Sequence, residues 1–291
     1  MTARIHDRGH RSYDGARLGA RHSVWVLFQQ GVWRVAGRRR PIWSKLLFAL
    51  TLALAYLPAI VFVGLAALLN DDDLRDLVLP TYGEYYGFVT AAIVLFAAIV
   101  APELLCTDRK SGMLGLYLAS PLSRDSYMFA RAMAVAAVMA LVTLGPPLLL
   151  LIALTLQGAG PDGLGDTLLV FVRVVGAGIG VAAPVAALTL AVSATTDRRA
   201  AASAGIILGL LVSSAVANIL LESADAPDIV GLFDLFGLPF EVAIRIHGET
   251  SDLDVGLGAL STAAVIGGAI AWTVIFGLFA RWRYQRLEVR R

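Results

Sequence analysis

An all-α fold with six transmembrane helices follows from three properties of this sequence: six apolar runs of bilayer length, a scarcity of charge, and basic residues that favour alternate connections. Of 291 residues, 58% are hydrophobic and 16% charged, against about 25% charged in ordinary soluble domains; mean hydropathy is +0.74. A hydrocarbon layer of about 30 Å takes roughly 20 apolar residues at about 1.5 Å each. Runs over 46–69, 86–105, 128–156, 168–194, 201–221 and 257–280 meet that length. The composition excludes an ordinary soluble domain and predicts a polytopic membrane protein.

Basic residues orient the spans. Lys and Arg concentrate in cytoplasmic segments near helix ends, and 20 of the 24 fall in residues 1–45, the 109–124 connection, Arg198–Arg199 and the tail from Arg281. The alternate connections hold only Arg75 and Arg245. They are acidic instead, with Asp71, Asp72, Asp73, Asp76 and Glu84, then Asp162 and Asp166, then the run from Glu222 to Asp254. The expectation is a multi-pass protein of the cell (plasma or inner) membrane with both termini cytoplasmic.

Four stretches organise the chain: a cytoplasmic tail over 1–22, an interfacial amphipathic helix over 23–45, the six-span domain over 46–281, and a basic tail over 282–291. The first tail lacks apolar periodicity and is expected to be disordered. Its five Arg and three His are read as composition, with no nucleic-acid or metal role. The first apolar run is too long for a signal-peptide core, and no small-residue cleavage site follows it. Over 24–43, Val24, Leu27, Phe28, Val32, Val35 and Ala36 recur at helical spacing, with Gln29, Gln30, Arg34 and Arg38 on the other side. Trp25, Trp33 and Trp43 suit a headgroup layer, and Arg38, Arg39 and Arg40 suit anionic lipid, which makes membrane lipid a partner. A basic stop with no defined orientation would have the same composition. Pro41 is expected to end this helix and turn the chain into the first span.

Between the second and third spans, Ala101 to Arg131 forms a polar, basic hinge. The second span runs into Pro102 and Glu103, whose carboxylate can stay hydrated at a helix end without burial. Thr107 and Asp108 offer caps for a new short helix. In it Met113, Leu114, Leu116, Tyr117 and Leu118 carry more apolar surface than a free loop exposes. Ser120 and Pro121 stop it, and Ser123 caps the third span with Asp125 in the first turn. Arg131 lies just inside that span, with Glu103 as its expected partner. The exposed apolar surface asks for a docking partner; a solvated connector that buries this face by itself is the alternative.

These residues resemble the permease subunits of ABC-2-type transporters, especially those with a separately encoded ATPase. The resemblance rests on Pro102-Glu103, on Asp108-Arg109-Lys110-Ser111-Gly112-Met113-Leu114, and on Leu118-Ala119-Ser120-Pro121-Leu122-Ser123-Arg124. The family pattern is Glu/Asp-Arg-x-x-Gly-Thr-Leu followed by Leu-Pro-Leu-Ser-Arg, and Met113 stands where it usually has Thr. The motif covers about 30 residues, while the expected spans, termini and interfacial helix agree over nearly the whole chain. The resemblance implies a short helix that sits in a groove of an ATPase. The coupling residues would be Glu103, Asp108, Arg109, Lys110, Gly112, Met113, Leu114, Leu116, Tyr117 and Pro121. It also implies a second permease copy or a paralogous permease, two cytosolic ABC ATPase subunits, and export of substrate. Lipids, hydrophobic drugs, polysaccharides and cofactor-maturation cargo are all handled by similar permeases, and the apolar spans favour an amphiphile.

Nothing in this chain is expected to bind the nucleotide. No G-x-x-x-x-G-K-[ST] run exists, and the two lysines, Lys45 and Lys110, do not follow glycine-rich loops. ATP and Mg would be held by the partner ATPase, with no cofactor in this chain.

Small residues recur in the later spans at Gly176, Gly178 and Gly180, at Gly205 and Gly209, and at Ala259, Ala263, Gly267 and Ala271, and are read as packing faces within one subunit. Pro146-Pro147 and Pro184 should kink the third and fourth spans. Arg173 has two readings: it snorkels to the outer headgroups from the start of the fourth span, or it lines a substrate exit path. Between the last two spans, Ile229, Val230, Leu232, Phe233, Leu235, Phe236, Leu238 and Phe240 form an apolar cluster. It is expected to dip back into the membrane as short outer helices broken at Gly231, Gly237 and Pro239, as the resemblance also implies. His247 is expected at the surface.

Catalytic chemistry is missing from the pattern. Cys106 is the single cysteine, and no intramembrane nucleophile has a positioned base. A secondary transporter, the rival among transport classes, would need midplane ion sites, of which these spans offer almost none, and a membrane scaffold or sensor anchored to a cytosolic partner is a further alternative.

Overall fold

The computed structural model describes residues 18–37, 42–69, 72–119, 121–223, 226–249 and 255–287. The expectations for residues 1–17, for Arg38 to Pro41, for the side chain of Trp43 and those of the aspartates over 71–76, for Ser120, for the 250–254 segment and for the tail beyond 287 lie outside them. Among the described residues the chain is all-helical, without strands. In order, the helices are α1 Ala20–Val35, α2 Ile42–Leu68, α3 Asp72–Val78, α4 Tyr85–Lys110, α5 Met113–Leu118, α6 Arg124–Thr143, α7 Gly145–Leu156, α8 Gly163–Thr195 and α9 Arg199–Ser223. A 3-10 turn at Asp228–Phe233, α10 Leu238–His247 and α11 Thr262–Gln285 complete the order.

Six segments are long and apolar enough to cross a membrane: Lys45–Leu68, Tyr85–Lys110, Arg124–Leu156, Gly163–Thr195, Arg199–Ser223 and Thr262–Gln285. The sequence places all six, with differences at the ends. The second span does not stop near Leu105. It continues to Lys110, because no residue before Gly112 forces the backbone out of a helix, so Thr107 and Asp108 lie inside α4 and cap nothing. The sixth span starts at Thr262, where the Ser261 hydroxyl accepts from the Ala264 amide. The α3 helix between the first two spans has no counterpart in the sequence reading.

The second span is the hub of the bundle, with 67% of its apolar window buried, against 17% for α9 and for α11. It packs on α2, α6, α8 and α9, while α11 and α10 lie along α8. Prolines inside such helices free carbonyls that lipid cannot satisfy, and at Pro102 and Pro147 a hydroxyl from a neighbouring helix supplies the missing donor. Pro102 has no N–H for the Ala98 carbonyl, which accepts instead from the Ser203 hydroxyl of α9 at 2.6 Å. The third span divides at Leu144 into α6 and α7, just before Pro146-Pro147. The Thr143 carbonyl, four residues before Pro147, accepts from the Tyr86 hydroxyl at 3.1 Å, and the Leu141 carbonyl accepts from Tyr56 at 3.1 Å.

The two ends of the bundle differ. At one lie α1, α5, the start of α6 and of α9, and the end of α11; at the other, α10 packs on α8 at Gly176 and Gly180, and the 3-10 turn packs on α9. The first helix begins at Ala20, inside the stretch expected to be disordered, and ends at Val35, ahead of Gly37, rather than at Pro41. Its Leu27, Gly31 and Val35 are buried, and Trp25 and Trp33 are exposed. Gly31 permits the close approach to α6, since a Cβ there would lie 2.8 Å from the Ala134 Cβ and 3.1 Å from the Arg131 guanidinium. The expected small-residue faces are internal where they pack: Gly180 meets Val242 of α10, and Gly205 meets Val192 of α8.

Candidate functional site

At the α5 end, five charged side chains from four helices converge. Asp108 of α4 has no exposed surface. Its Oδ1 accepts from Arg34 of α1 at 2.5 Å, and its Oδ2 accepts from Arg131 of α6 at 2.6 Å and from the Tyr127 hydroxyl at 2.8 Å. Glu103, one turn and a half earlier on α4, pairs with Arg199 of α9 and faces Arg34 at 3.8 Å. Three guanidinium groups thus share two carboxylates. Arg131 also donates to the Gln30 carboxamide oxygen at 3.2 Å and to the Leu27 carbonyl at 3.4 Å, which binds α1 to the cluster.

Two expectations are corrected here. Glu103 is 2% exposed rather than hydrated at a helix end, because α4 continues past it and α1 and α9 close over it. The partner of Arg131 is Asp108, not Glu103: the two carboxylates are five residues apart on α4, and Asp108 is the one that meets the α6 guanidinium. Burying a charge is costly unless it is paired and hydrogen-bonded, and each Asp108 oxygen has a cationic donor.

Arg109 works on a different element. Its guanidinium donates to the Ala194 and Thr196 carbonyls at 2.9 and 3.0 Å, covering groups that the end of α8 leaves without helical donors. Thus consecutive α4 residues, Asp108 and Arg109, fasten α1 and α6 on one side and α8 on the other. Lys110 is exposed, as is Pro121.

The α5 helix rests on the bundle through Leu114 and Tyr117, of which Tyr117 reaches this cluster. Gly112, at φ +69, turns the chain out of α4 in a left-handed conformation that favours glycine. No α5 residue is fully buried: Met113, Leu114, Tyr117 and Leu118 are half-buried and Leu116 is 65% exposed. The Tyr117 ring lies 5.6 Å from the Arg131 guanidinium carbon and stacks on Tyr127 at 5.9 Å, which stacks on Tyr284 of α11 at 5.8 Å. Its hydroxyl meets the Gln30 carboxamide of α1 at 3.2 Å. The start of α6 is held by the Ser123 cap on Ser126 and by a two-pronged Asp125–Arg281 pair at 2.9 Å to α11.

A family model described as ABC-2 family transporter protein matches residues 34–289. The chain belongs to that family. No curated protein matches it in sequence. As an ABC-2 transporter chain it is a membrane transport component, and the match takes in every span and all five charged members of the cluster, starting at Arg34 itself.

The residues quoted for the ABC-2 resemblance separate in the structure into a braced set, Glu103, Asp108, Arg109 and Tyr117, and an outward set, Lys110, Gly112, Leu116 and Pro121, with Met113 and Leu114 half-buried between them. Sequence reasoning missed Arg34, Tyr127, Arg199 and Tyr284 as members of the cluster. The i, i+4 spacing of Tyr127 and Arg131 on one helix face was the available signal.

The opposite end of this ABC-2 chain holds a second polar group. Arg173 lies well inside α8, which starts at Gly163, and donates to the His247 carbonyl at 2.9 Å at the end of α10. His247 is 7% exposed rather than a surface residue, and its ring stacks on Tyr82 at 5.9 Å. Burial, with Arg173 adding to it, holds the imidazole down at about 4, and burial pushes the Tyr82 hydroxyl up to about 12. Glu249 ties this end to the loop between the first two spans, accepting from the Thr81 hydroxyl at 2.8 Å and the Gly83 amide at 3.2 Å. No group of three or more His, Cys, Asp or Glu at metal-binding distance occurs among the described residues.

Proposed function

We propose that this chain is the permease subunit of an ATP-driven exporter and that α5 is the part on which a separate ATPase acts. The observation that carries the reading is the pairing of an exposed docking face with an internal brace. Leu116 points outward at 65% exposure while its neighbour Tyr117 reaches Arg131 and the tyrosine stack. A push on α5 would reach α1, α4, α6, α8, α9 and α11 together, because Asp108, Arg109 and Glu103 join the ends of these helices. In this reading the α5 end and both termini face the cytoplasm, where the basic residues favour it. The first helix lies at the membrane surface with Trp25 and Trp33 toward the headgroups. ATP and Mg are bound by the ATPase, and the permease works as a pair. The substrate is an amphiphile or hydrophobic compound of the membrane, and Arg173 braces α10 from within the fourth span.

Co-purification of the tagged chain with its ATPase, followed by ATP hydrolysis assays in proteoliposomes, tests the reading. Leu116→Asp places a charge in the docking face while leaving the cluster intact, and is expected to abolish ATPase binding without lowering thermal stability. ATPase retained at wild-type level by Leu116→Asp, or a purified chain that supports no ATP-dependent transport, would overturn it. A scaffold would bind its partner without transport, and a secondary transporter would move substrate without ATP.

A further inference from the structure

A crevice of about 330 Å³ opens between α6, α8 and α11, at the low end of the roughly 300–1,000 Å³ that ligand pockets span. Met128, Leu190 and Ala280 form its buried floor, and Phe129, largely exposed, stands at its side. Its mouth is charged. Asp125, in the first turn of α6, and Arg281, near the end of α11, both line it, and each is about half exposed. Their two-pronged pair engages Nε and Nη2 of Arg281. The Nη1 of Arg281 donates to no group among the described residues, and the Asp125 Oδ2 accepts one bond.

Two further crevices lack such a mouth. Between α7 and α8 the lining runs from Leu151 to Phe171, and between α8 and α11 another runs from Leu188 to Phe279; neither includes a charged side chain. Hydrocarbon tails fill such grooves without selection, because lipid is as apolar as the lining. The crevice beside α6 adds a cation with a free edge and an anion where α6 starts and α11 ends, the level at which lipid headgroups lie. Gly277 lines it as well, one turn before Arg281 and inside a helix, where glycine is unfavourable. A Cβ there would meet nothing within 4 Å, so no neighbour in this chain demands the glycine; its effect is to leave the crevice open beneath the charged pair.

We infer that this crevice binds a membrane phospholipid whose head carries both a phosphate and a primary amine, with one acyl chain lying over Leu190 and Gly277. The phosphate accepts from the unused Nη1 edge of Arg281, since a guanidinium presents fixed, planar donors that match phosphate oxygens. The ammonium, a short linker away, meets the Asp125 carboxylate. A head with one charge of each sign is matched at both residues, whereas an anionic head without an amine leaves Asp125 facing negative charge. Arg124, the next cation along α6, is taken up by the Gln285 carbonyl. Through Asp125 and Arg281 the lipid clasps the ends of α6 and α11 that carry the stacked Tyr127 and Tyr284. The site requires neither the ATPase nor the transported substrate.

Native mass spectrometry of the full chain, delipidated in detergent, tests it with phosphatidylethanolamine, phosphatidylglycerol and diacylglycerol of the same acyl chains. A single phosphatidylethanolamine should be retained per chain, about fivefold more tightly than phosphatidylglycerol, with diacylglycerol weaker still. Gly277→Leu fills the crevice and should lower the affinity about tenfold or more. Its thermal unfolding midpoint should be unchanged or higher, since leucine is the better helix former. Arg281→Gln should lower the affinity about tenfold, and Asp125→Asn should remove the preference for phosphatidylethanolamine. Ile275→Phe, in the neighbouring uncharged crevice, should leave binding unchanged. Equal binding of phosphatidylglycerol or diacylglycerol, lipid adducts that grow without saturation, or wild-type affinity in a folded Gly277→Leu would overturn the inference. So would disulfide-linked dimers of Phe129→Cys in a Cys106→Ala background, because a second copy of the chain would then cover the crevice.

Discussion

The Arg131 guanidinium and the Asp108 carboxylate lie 2.6 Å apart at the junction of α4 and α6, and neither side chain is exposed at all. Removing one member of such a pair costs about 3–5 kcal/mol, because the other charge is left buried. Arg34 remains on the far oxygen of Asp108, so Arg131→Met should cost about 3 kcal/mol, the lower end of that range. Thermal unfolding in detergent measures it. Removing both charges with Arg131→Met and Asp108→Leu should recover more than half of that loss, and strict additivity of the two single losses would refute the pairing.

Tyr117 is the brace of α5, so its ring and its hydroxyl should separate by mutation. Tyr117→Phe keeps the contact with Arg131 and the stack on Tyr127 and loses only the bond to Gln30. It should cost about 0.5–1 kcal/mol and leave ATP-driven transport near wild type. Tyr117→Ala should still bind the ATPase through Leu116 while transport per ATP falls at least several-fold. Equal coupling in the two variants would contradict a brace.

At Gly112, a Cβ would meet nothing within 4 Å, so the φ of +69 is the only obstacle to a side chain. Gly112→Ala should therefore cost about 1 kcal/mol from backbone strain. Gly112→Asn should cost less, since asparagine tolerates the left-handed region, and Gly112→Val more. The ranking in thermal unfolding is the check.

Ser203 and Pro102 should be coupled. Ser203→Ala leaves the Ala98 carbonyl without its donor at a cost of about 1–2 kcal/mol. Against a Pro102→Ala background, where residue 102 supplies an N–H to that carbonyl, the same change should be near neutral. A double-mutant cycle with no coupling would count against this account.

His247 should make stability depend on pH in one direction. Its folded pKa of about 4 lies below the ordinary 6.5, so between those values the unfolded chain binds a proton that the folded chain refuses. Stability is complete above 6.5 and is lost progressively as pH falls toward 4. His247→Gln should flatten this slope. Arg173→Gln should raise the His247 pKa and shorten the window, and should weaken the hold on α10 by about 1 kcal/mol.

How far the site was legible depends on the range of the forces involved. The short α5 helix with its apolar residues is written locally, in Gly112 and in the run Met113 to Leu118, and the sequence placed it. Asp108 looked like a cap because caps are local signals too, yet α4 runs through it and its contacts come from α1 and α6. His247 looked like a surface residue because nothing nearby in the chain reveals that Tyr82, 165 residues earlier, stacks on its ring.

The sequence by itself determined the six apolar spans, their order, the short α5 helix and the concentration of basic residues at alternate connections. Each of these depends on residues close together in the chain. Only the tertiary structure decided which charges are buried and with whom they pair: Asp108 with Arg131 and Arg34, Glu103 with Arg199, and Arg109 with the end of α8. Pairing in a low-dielectric interior depends on the distance between helices that meet only on folding, and a shift of one helical turn would exchange the partners.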